Sequence, residues 1–184
     1  AGSWGLWLRM RELPHHRFAH TGHWRAGMAL LGGILMGKLR HIAITVPDPQ
    51  AAADFYCKAF GMTQVGKSDH ALASGVYITD GVVNLAFLHY KTEEAAGPRG
   101  TDFVGLHHIG FWVEDAHQSR EQVEAAGARW WMGEVPDKGE GAFYEVKFHD
   151  PNGVVFDISA HGWVGASREG SRPEAPQQSK VAAG

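Results

Sequence analysis

Two histidines, His41 and His108, occupy the same place in two similar ten-residue stretches, LRHIAITVPD (39–48) and LHHIGFWVED (106–115). Leu, His, Ile, Val and Asp coincide at five of the ten positions, 67 residues apart. Each stretch alternates with the period of a strand, so His41 shares a face with Ala43 and Thr45 while Ile42, Ile44 and Val46 take the other. A single strand histidine is usually a satisfied core residue. A pair at matching places in a repeat points to a common task, and imidazole offers metal ligation or proton transfer. A third group lies in GVVFDIS (153–159), where Asp157 shares a face with Val155 and Ser159. An acid in so apolar a strand is costly to bury unless paired or bound to a cation. His41, His108 and Asp157 are therefore the candidate metal ligands. Asn84, in DGVVNLAFL (80–88), takes a similar place in the first copy. It lies three residues after its glycine, whereas Asp157 lies four after its own, an offset that a bulge or one-residue slip would reconcile. His107 alternates onto the Ile109/Phe111 face, opposite His108, and is expected to be structural.

These residues must be held by two copies of one module. After LRHIAITV, Pro47-Asp48-Pro49 turns the chain and PQAAADFYCKAFG reads as a helix ended by Gly61, followed by strands near 62–66, 72–79 and 82–89. The second copy opens with LHHIGFWV, continues as a helix over 115–126 stopped by Gly127, and closes with strands near 129–132, 142–149 and 153–159. Asp150-Pro151-Asn152-Gly153 is the turn before the last strand. Each copy is βαβββ, about 60 residues, too small to bury a good core alone, so the two must pack together. The fold class is α+β.

Other strands supply candidates for the rest of a site. In FYEVKFHDPNG, Glu145, Lys147 and His149 share a face; Tyr144 and His149 are candidates for proton transfer, and the same pattern also describes a solvated polar face. Trp112 lies on the His108 face and suits the wall of an aromatic pocket, while Trp130 and Trp131 suit packing. Arg99, in PRGTDF between the modules, is placed to meet an anionic substrate and equally suits a surface loop. GEVPDKGEG (133–141) has the composition of a lid or an ordinary loop.

Composition narrows the function classes. With 44% hydrophobic and 20% charged residues and a net charge of −3, the chain has no basic stripe for nucleic acid. Cys57 is the only cysteine, so no internal disulfide forms, and a cytoplasmic location is expected. The apolar run AGMALLGGILMG (26–37) has 12 residues, too short to span a bilayer, and no clear cleavage site follows the basic stretch before it. The expected organisation is an N-terminal extension over 1–37, outside the core, one domain over 38–165 (modules 38–100 and 101–165), and a disordered tail over 166–184. The expected partner is a small molecule.

On HIAITVPD, HHIGFWVED, DGVVNLAFL and DPNGVVFDIS, in that order, residues 38–160 resemble the vicinal oxygen chelate superfamily. That superfamily includes glyoxalase I, methylmalonyl-CoA epimerase, fosfomycin resistance proteins and extradiol ring-cleavage dioxygenases. The resemblance implies paired βαβββ modules forming a cupped mixed sheet around one divalent metal. His41 and His108 match the histidine ligands, Asp157 matches the closing carboxylate, and Asn84 falls where glyoxalase I has a glutamate. An amide accepts no proton at neutral pH, which weakens a glyoxalase-like reading. Two histidines and one carboxylate on three strands make the facial triad of non-haem Fe(II) oxygenases. The expected function therefore leans to an Fe(II) extradiol-type dioxygenase acting on a small molecule with adjacent oxygen atoms. The alternatives are glyoxalase- or epimerase-type isomerase or lyase chemistry with Zn, Ni, Co or Mn, and non-catalytic ligand sequestration of the bleomycin-resistance kind. A homodimer is expected by the same analogy.

Overall fold

The aspartates that end the two repeated stretches are helix caps, which explains their recurrence. In a computed structural model that describes residues 36–135 and 145–170, β1 (Lys38–Thr45) leads into α1 (Pro49–Phe60), and β5 (Gly105–Trp112) leads into α3 (Ala116–Ala125). The Asp48 carboxylate accepts from the backbone N–H groups of Gln50 and Ala51, and Asp115 does the same for Gln118, satisfying donors the first helical turn leaves open. Pro49, with no N–H to lose, begins α1, and Gly61 ends it in the left-handed conformation at φ 67°.

After α1 the chain forms β2 (Thr63–Asp69), β3 (Ala73–Thr79) and β4 (Asn84–Tyr90). A short helix α2 (Glu93–Ala96) and a 3-10 turn (Gly97–Arg99) lead to the second module, which adds β6 (Arg129–Met132), β7 (Val146–His149) and β8 (Val155–Ser159). The expected α+β architecture of two βαβββ modules is what the chain adopts. The eight strands among the described residues form one mixed sheet in the order β2-β3-β4-β1-β5-β8-β7-β6. β1 pairs with β4 and β5 with β8 in parallel, while β1 and β5 pair antiparallel at the seam.

Alternation assigns the two faces. One face packs under the helices: Ala53 of α1 meets Val76, Ile78, Leu85 and Phe87, and Ala116 of α3 meets Val146, Phe148 and Ile158. Each of these larger side chains contributes about 1.5–3 kcal/mol by leaving water. The opposite face carries His41, Ala43 and Thr45, and is left to build a site. Residues 166–170, expected in a disordered tail, instead lie against the sheet, where Arg40 Nε donates to the Ser167 carbonyl (2.6 Å) and Ser167 N–H donates to the Val82 carbonyl (3.1 Å). Tyr144 and most of the candidate lid, together with residues 1–35, lie outside the described residues. Among the described residues no helix is long and apolar enough to cross a membrane.

Removing either cap by Asp48→Ala or Asp115→Ala is expected to lower stability by about 1 kcal/mol, with additive effects in the double variant. Urea denaturation checks this; unchanged midpoints would contradict it.

Candidate functional site

The seam of the sheet brings the two histidines together. Ile42 lies opposite Ile109, so His41 and His108, each one residue earlier, sit diagonally across the antiparallel pair on one face. His41 faces Gly110 and His108 faces Ala43, both small. Gly110 is also the cross-strand partner of Asp157, and a Cβ there would lie 2.5 Å from Asp157 Oδ1 and 2.7 Å from the Trp163 ring. Glycine is needed at 110 because the carboxylate and the indole both close over it. His41 and His108 are each 2% exposed and Asp157 is 0% exposed. One ligand atom from each lies within 4.8 Å of the others.

Two backbone carbonyls fix which ring nitrogens carry protons. The Asn84 amide donates to the Val164 carbonyl (2.8 Å), so its oxygen faces His41 and accepts from Nδ1–H (2.8 Å). His107 Nε2–H donates to the Ala96 carbonyl (3.2 Å), which leaves His107 Nδ1 to accept from His108 Nδ1–H (2.8 Å). In both rings the proton is therefore on Nδ1 and the lone pair on Nε2. These two Nε2 atoms face each other at 3.2 Å. Two lone pairs at that separation repel unless a cation lies near them, and burial keeps the rings neutral: it lowers His41 to about 4 and His108 well below its ordinary value.

The charges beside them come from the second module. Lys147 lies opposite Asp157 on the neighbouring strand. Its ammonium donates to Asp157 Oδ2 (2.8 Å), Glu145 Oε2 (2.8 Å) and His108 Nε2 (3.3 Å). Burial opposes that charge, but the two carboxylates hold the lysine above its usual range. Partial burial pushes Glu145 up, yet Lys147, His41 and a hydrogen bond from Trp163 Nε1 (2.7 Å) bring it down to about 2. Asp157 behaves oppositely: burial raises it to about 7 against the pull of Lys147. Trp163 also stacks on His41, with ring centroids 4.9 Å apart and planes 4° apart. His41, His108, Glu145, Lys147, Tyr77 and Tyr90 help line a cavity of about 550 Å³. A second cavity of about 410 Å³ lies behind the sheet near α3, among Phe111, Val123 and Phe156, and contains none of these groups.

Several expectations are corrected. His107 does not point away from His108. The β1–β5 register slips by one residue at both Arg40 and His107, the same place in each repeat, and the bulge turns His107 toward its neighbour. Asn84 pairs with His41, whereas Asp157 pairs with Gly110, two residues beyond His108, so the modules are offset by two and not by one. Asn84 orients a histidine through its oxygen and stands behind it. Trp112 lies outside the cavity: its Nε1 donates to the Ala160 carbonyl (3.0 Å), and its ring covers Gly162, where a Cβ would come within 2.4 Å. It thereby supports the turn that carries Trp163. Trp163 has no periodic signal in the sequence; its one mark is a Trp-Val pair between the glycines of GWVG. Arg99 donates to the Leu106 carbonyl and lies over Phe103 (4.7 Å), pinning the connection between modules. His149 Nδ1 donates to the Gly153 carbonyl (3.3 Å) and its ring packs on Trp131 (5.2 Å), away from the cavity lining.

The cluster fits a divalent cation. Two imidazole nitrogens and a carboxylate suit Zn, Fe(II), Co, Ni or Mn, and Asp157 Oδ1 is buried with no hydrogen-bond partner. The pKa shifts also set a pH dependence for the metal-free protein. Below about pH 6.5 the unfolded chain protonates His41, His107 and His108, which the folded chain resists. Asp157 opposes this with one proton retained in the folded state up to about 7. The imidazoles outnumber it, so stability should fall by on the order of 1–3 kcal/mol per pH unit from about pH 6 to 4.5. Urea titrations across that range check the slope; flat or rising stability would contradict it.

Several known proteins are similar to this chain. The ethylmalonyl-CoA/methylmalonyl-CoA epimerase of Cereibacter sphaeroides is 36% identical over 106 residues, covering 52% of this chain and 75% of the relative. Among solved structures, a methylmalonyl-CoA epimerase in complex with methylmalonyl-CoA and ammonium matches with a TM-score of 0.55 at 19% identity, covering 75% of this chain and 99% of that one. The methylmalonyl-CoA epimerase from Mycobacterium tuberculosis matches with a TM-score of 0.54 at 19% identity, covering 72% and 92%. These structural likenesses bear on the fold. Residues 38–158 match the Glyoxalase/Bleomycin resistance protein/Dioxygenase superfamily, and the chain belongs to that family.

Proposed function

We propose that the chain is a divalent-metal-dependent epimerase acting at the carbon α to the thioester carbonyl of a 2-alkylmalonyl-CoA. The observation that carries this is the convergence of two imidazole lone pairs and Asp157 beside a cavity with Glu145 on one wall and Tyr77 on the other. The activity in the name of the 36% identical relative supports the substrate class.

A divalent cation held by His41, His108 and Asp157 would act as a Lewis acid, drawing electron density from the carbonyl oxygens beside the reacting carbon. Inverting that carbon requires a proton to leave one face and another to arrive on the opposite face. β3, which carries Tyr77, and β7, which Glu145 immediately precedes, each lie two strands out from the β1/β5 seam, so the two residues approach the cavity from opposite modules. Glu145, kept ionised by Lys147, accepts the α-proton. The Tyr77 hydroxyl, with Ser68 Oγ at 2.8 Å, delivers a proton to the other face. The proton on Glu145 returns to Tyr77 through solvent, and in the reverse direction the two exchange roles. Tyr90, raised to about 12 by burial, stays a neutral phenol in the same wall.

The dioxygenase expected from the facial triad gives way to the epimerase alternative. That expectation rested on a single carboxylate at the metal; Glu145 and Lys147 add a second carboxylate and an ammonium beside it, the equipment for moving a proton.

Metal-loaded protein incubated with methylmalonyl-CoA in D2O is expected to exchange the α-proton for deuterium and to interconvert the epimers. Glu145→Gln and Tyr77→Phe should each cut turnover by about 10²–10⁴-fold with metal content unchanged. His41→Ala or His108→Ala should abolish metal binding, and His107→Ala should weaken it about 10–100-fold. Oxygen uptake with catechols, without α-proton exchange, would contradict the proposal.

A further inference from the structure

The single lone pair of His108 Nε2 already has a partner, the Lys147 ammonium at 3.3 Å. Lys147 has three N–H donors, and three acceptors surround it: Asp157 Oδ2, Glu145 Oε2 and His108 Nε2. Its side chain is only 13% exposed, so water does not readily replace any of them. The three acceptors differ in what they can share. Asp157 Oδ2 lies 3.4 Å from His108 Nε2 and Oδ1 has no partner, so a carboxylate with two lone pairs on each oxygen can serve lysine and metal at once. Glu145 is tied to Lys147 and Trp163 and is free to remain so. His108 cannot divide itself: its Nδ1 proton is committed to His107, and an sp² nitrogen has one lone pair in the ring plane.

We propose that Lys147 is a built-in competitor for the metal centre, whose ammonium holds the His108 Nε2 lone pair and must swing off it before a divalent ion can bind. This rests on the metal-site reading above and adds a residue that sets when the site loads. In the loaded state Lys147 keeps Asp157 Oδ2 and Glu145 Oε2, and its third N–H turns to the cavity it lines. There it becomes a cationic donor for an anionic substrate oxygen, so metal loading and substrate capture are coupled through one side chain.

Titration of the full chain with Mn2+, followed calorimetrically, tests this in the natural protein and in Lys147→Met. The variant keeps a side chain of similar length without charge or donors, and is expected to bind Mn2+ about tenfold tighter or more, since its Nε2 lone pair is always available. A crystal structure of the natural protein with Mn2+ gives a readout that does not depend on the variant folding: Lys147 Nζ should be beyond hydrogen-bonding distance of His108 Nε2 and still on Glu145. Equal or weaker affinity in Lys147→Met, while the natural protein binds, overturns the competition and leaves the metal site standing. Mn2+ bound with Nζ still on His108 Nε2 also overturns it. No binding by either protein overturns both readings.

Discussion

Two carbonyl oxygens, those of Val164 and Ala96, decide what the centre of this molecule can do. Each accepts a hydrogen bond and passes the consequence inward, one through Asn84 to His41 and the other through His107 to His108. The result is two neutral imidazoles with their lone pairs facing across 3.2 Å. Such an arrangement is unfavourable by itself and becomes favourable around positive charge. Lys147 supplies that charge here, and Asp157 and Glu145 balance it. The same donor set is what a divalent ion requires, so one electrostatic constraint links the buried lysine, the buried acid and the proposed metal chemistry.

The repeat builds this constraint with few residues. Antiparallel pairing at β1/β5 relates His41 and His108 by symmetry, and matching bulges at Arg40 and His107 bend both strands at equivalent points. Symmetry ends where the chemistry begins. Arg40 ties down the Ser167 backbone, whereas His107 reaches the histidine beside it. Only the second module offers an acid and a lysine on the seam face, while the first offers Asn84 and, farther out, Tyr77. A duplicated scaffold thus gives two equivalent histidines and two unlike walls, the asymmetry that the proposed inversion of a stereocentre would use.

Much of this was legible in the sequence because it depends on alternation and on local backbone needs. Period two puts His41 on the face away from Ile42, the burial of Asp157 follows from its apolar strand, and the glycines at 61 and 127 mark the helix ends. Alternation fails at a bulge, and nothing in LHHIGFWV announces one; hence alternation alone places His107 on the wrong face. Trp112, Arg99 and His149 were each on a reasonable face or loop, but their hydrogen bonds to Ala160, Leu106 and Gly153 are made with backbone carbonyls that only the fold brings near. Trp163 was hidden because its position comes from a glycine turn closing over Gly110. The reaction was the least legible part. Two nitrogens and one oxygen suit several metals and several chemistries, and the choice among them turns on neighbours that no spacing rule assigns to the site.

The histidine tautomers decide whether this centre can hold a cation. Long-range 1H–15N correlation NMR of the metal-free protein, with histidine nitrogens labelled, reports directly which ring nitrogen of His41 and of His108 carries the proton. Protonated Nδ1 and bare Nε2 are expected in both rings, with both Nε2 resonances moving when Zn2+ is added. A protonated Nε2 on either ring that persists in the presence of Zn2+ would contradict this assignment.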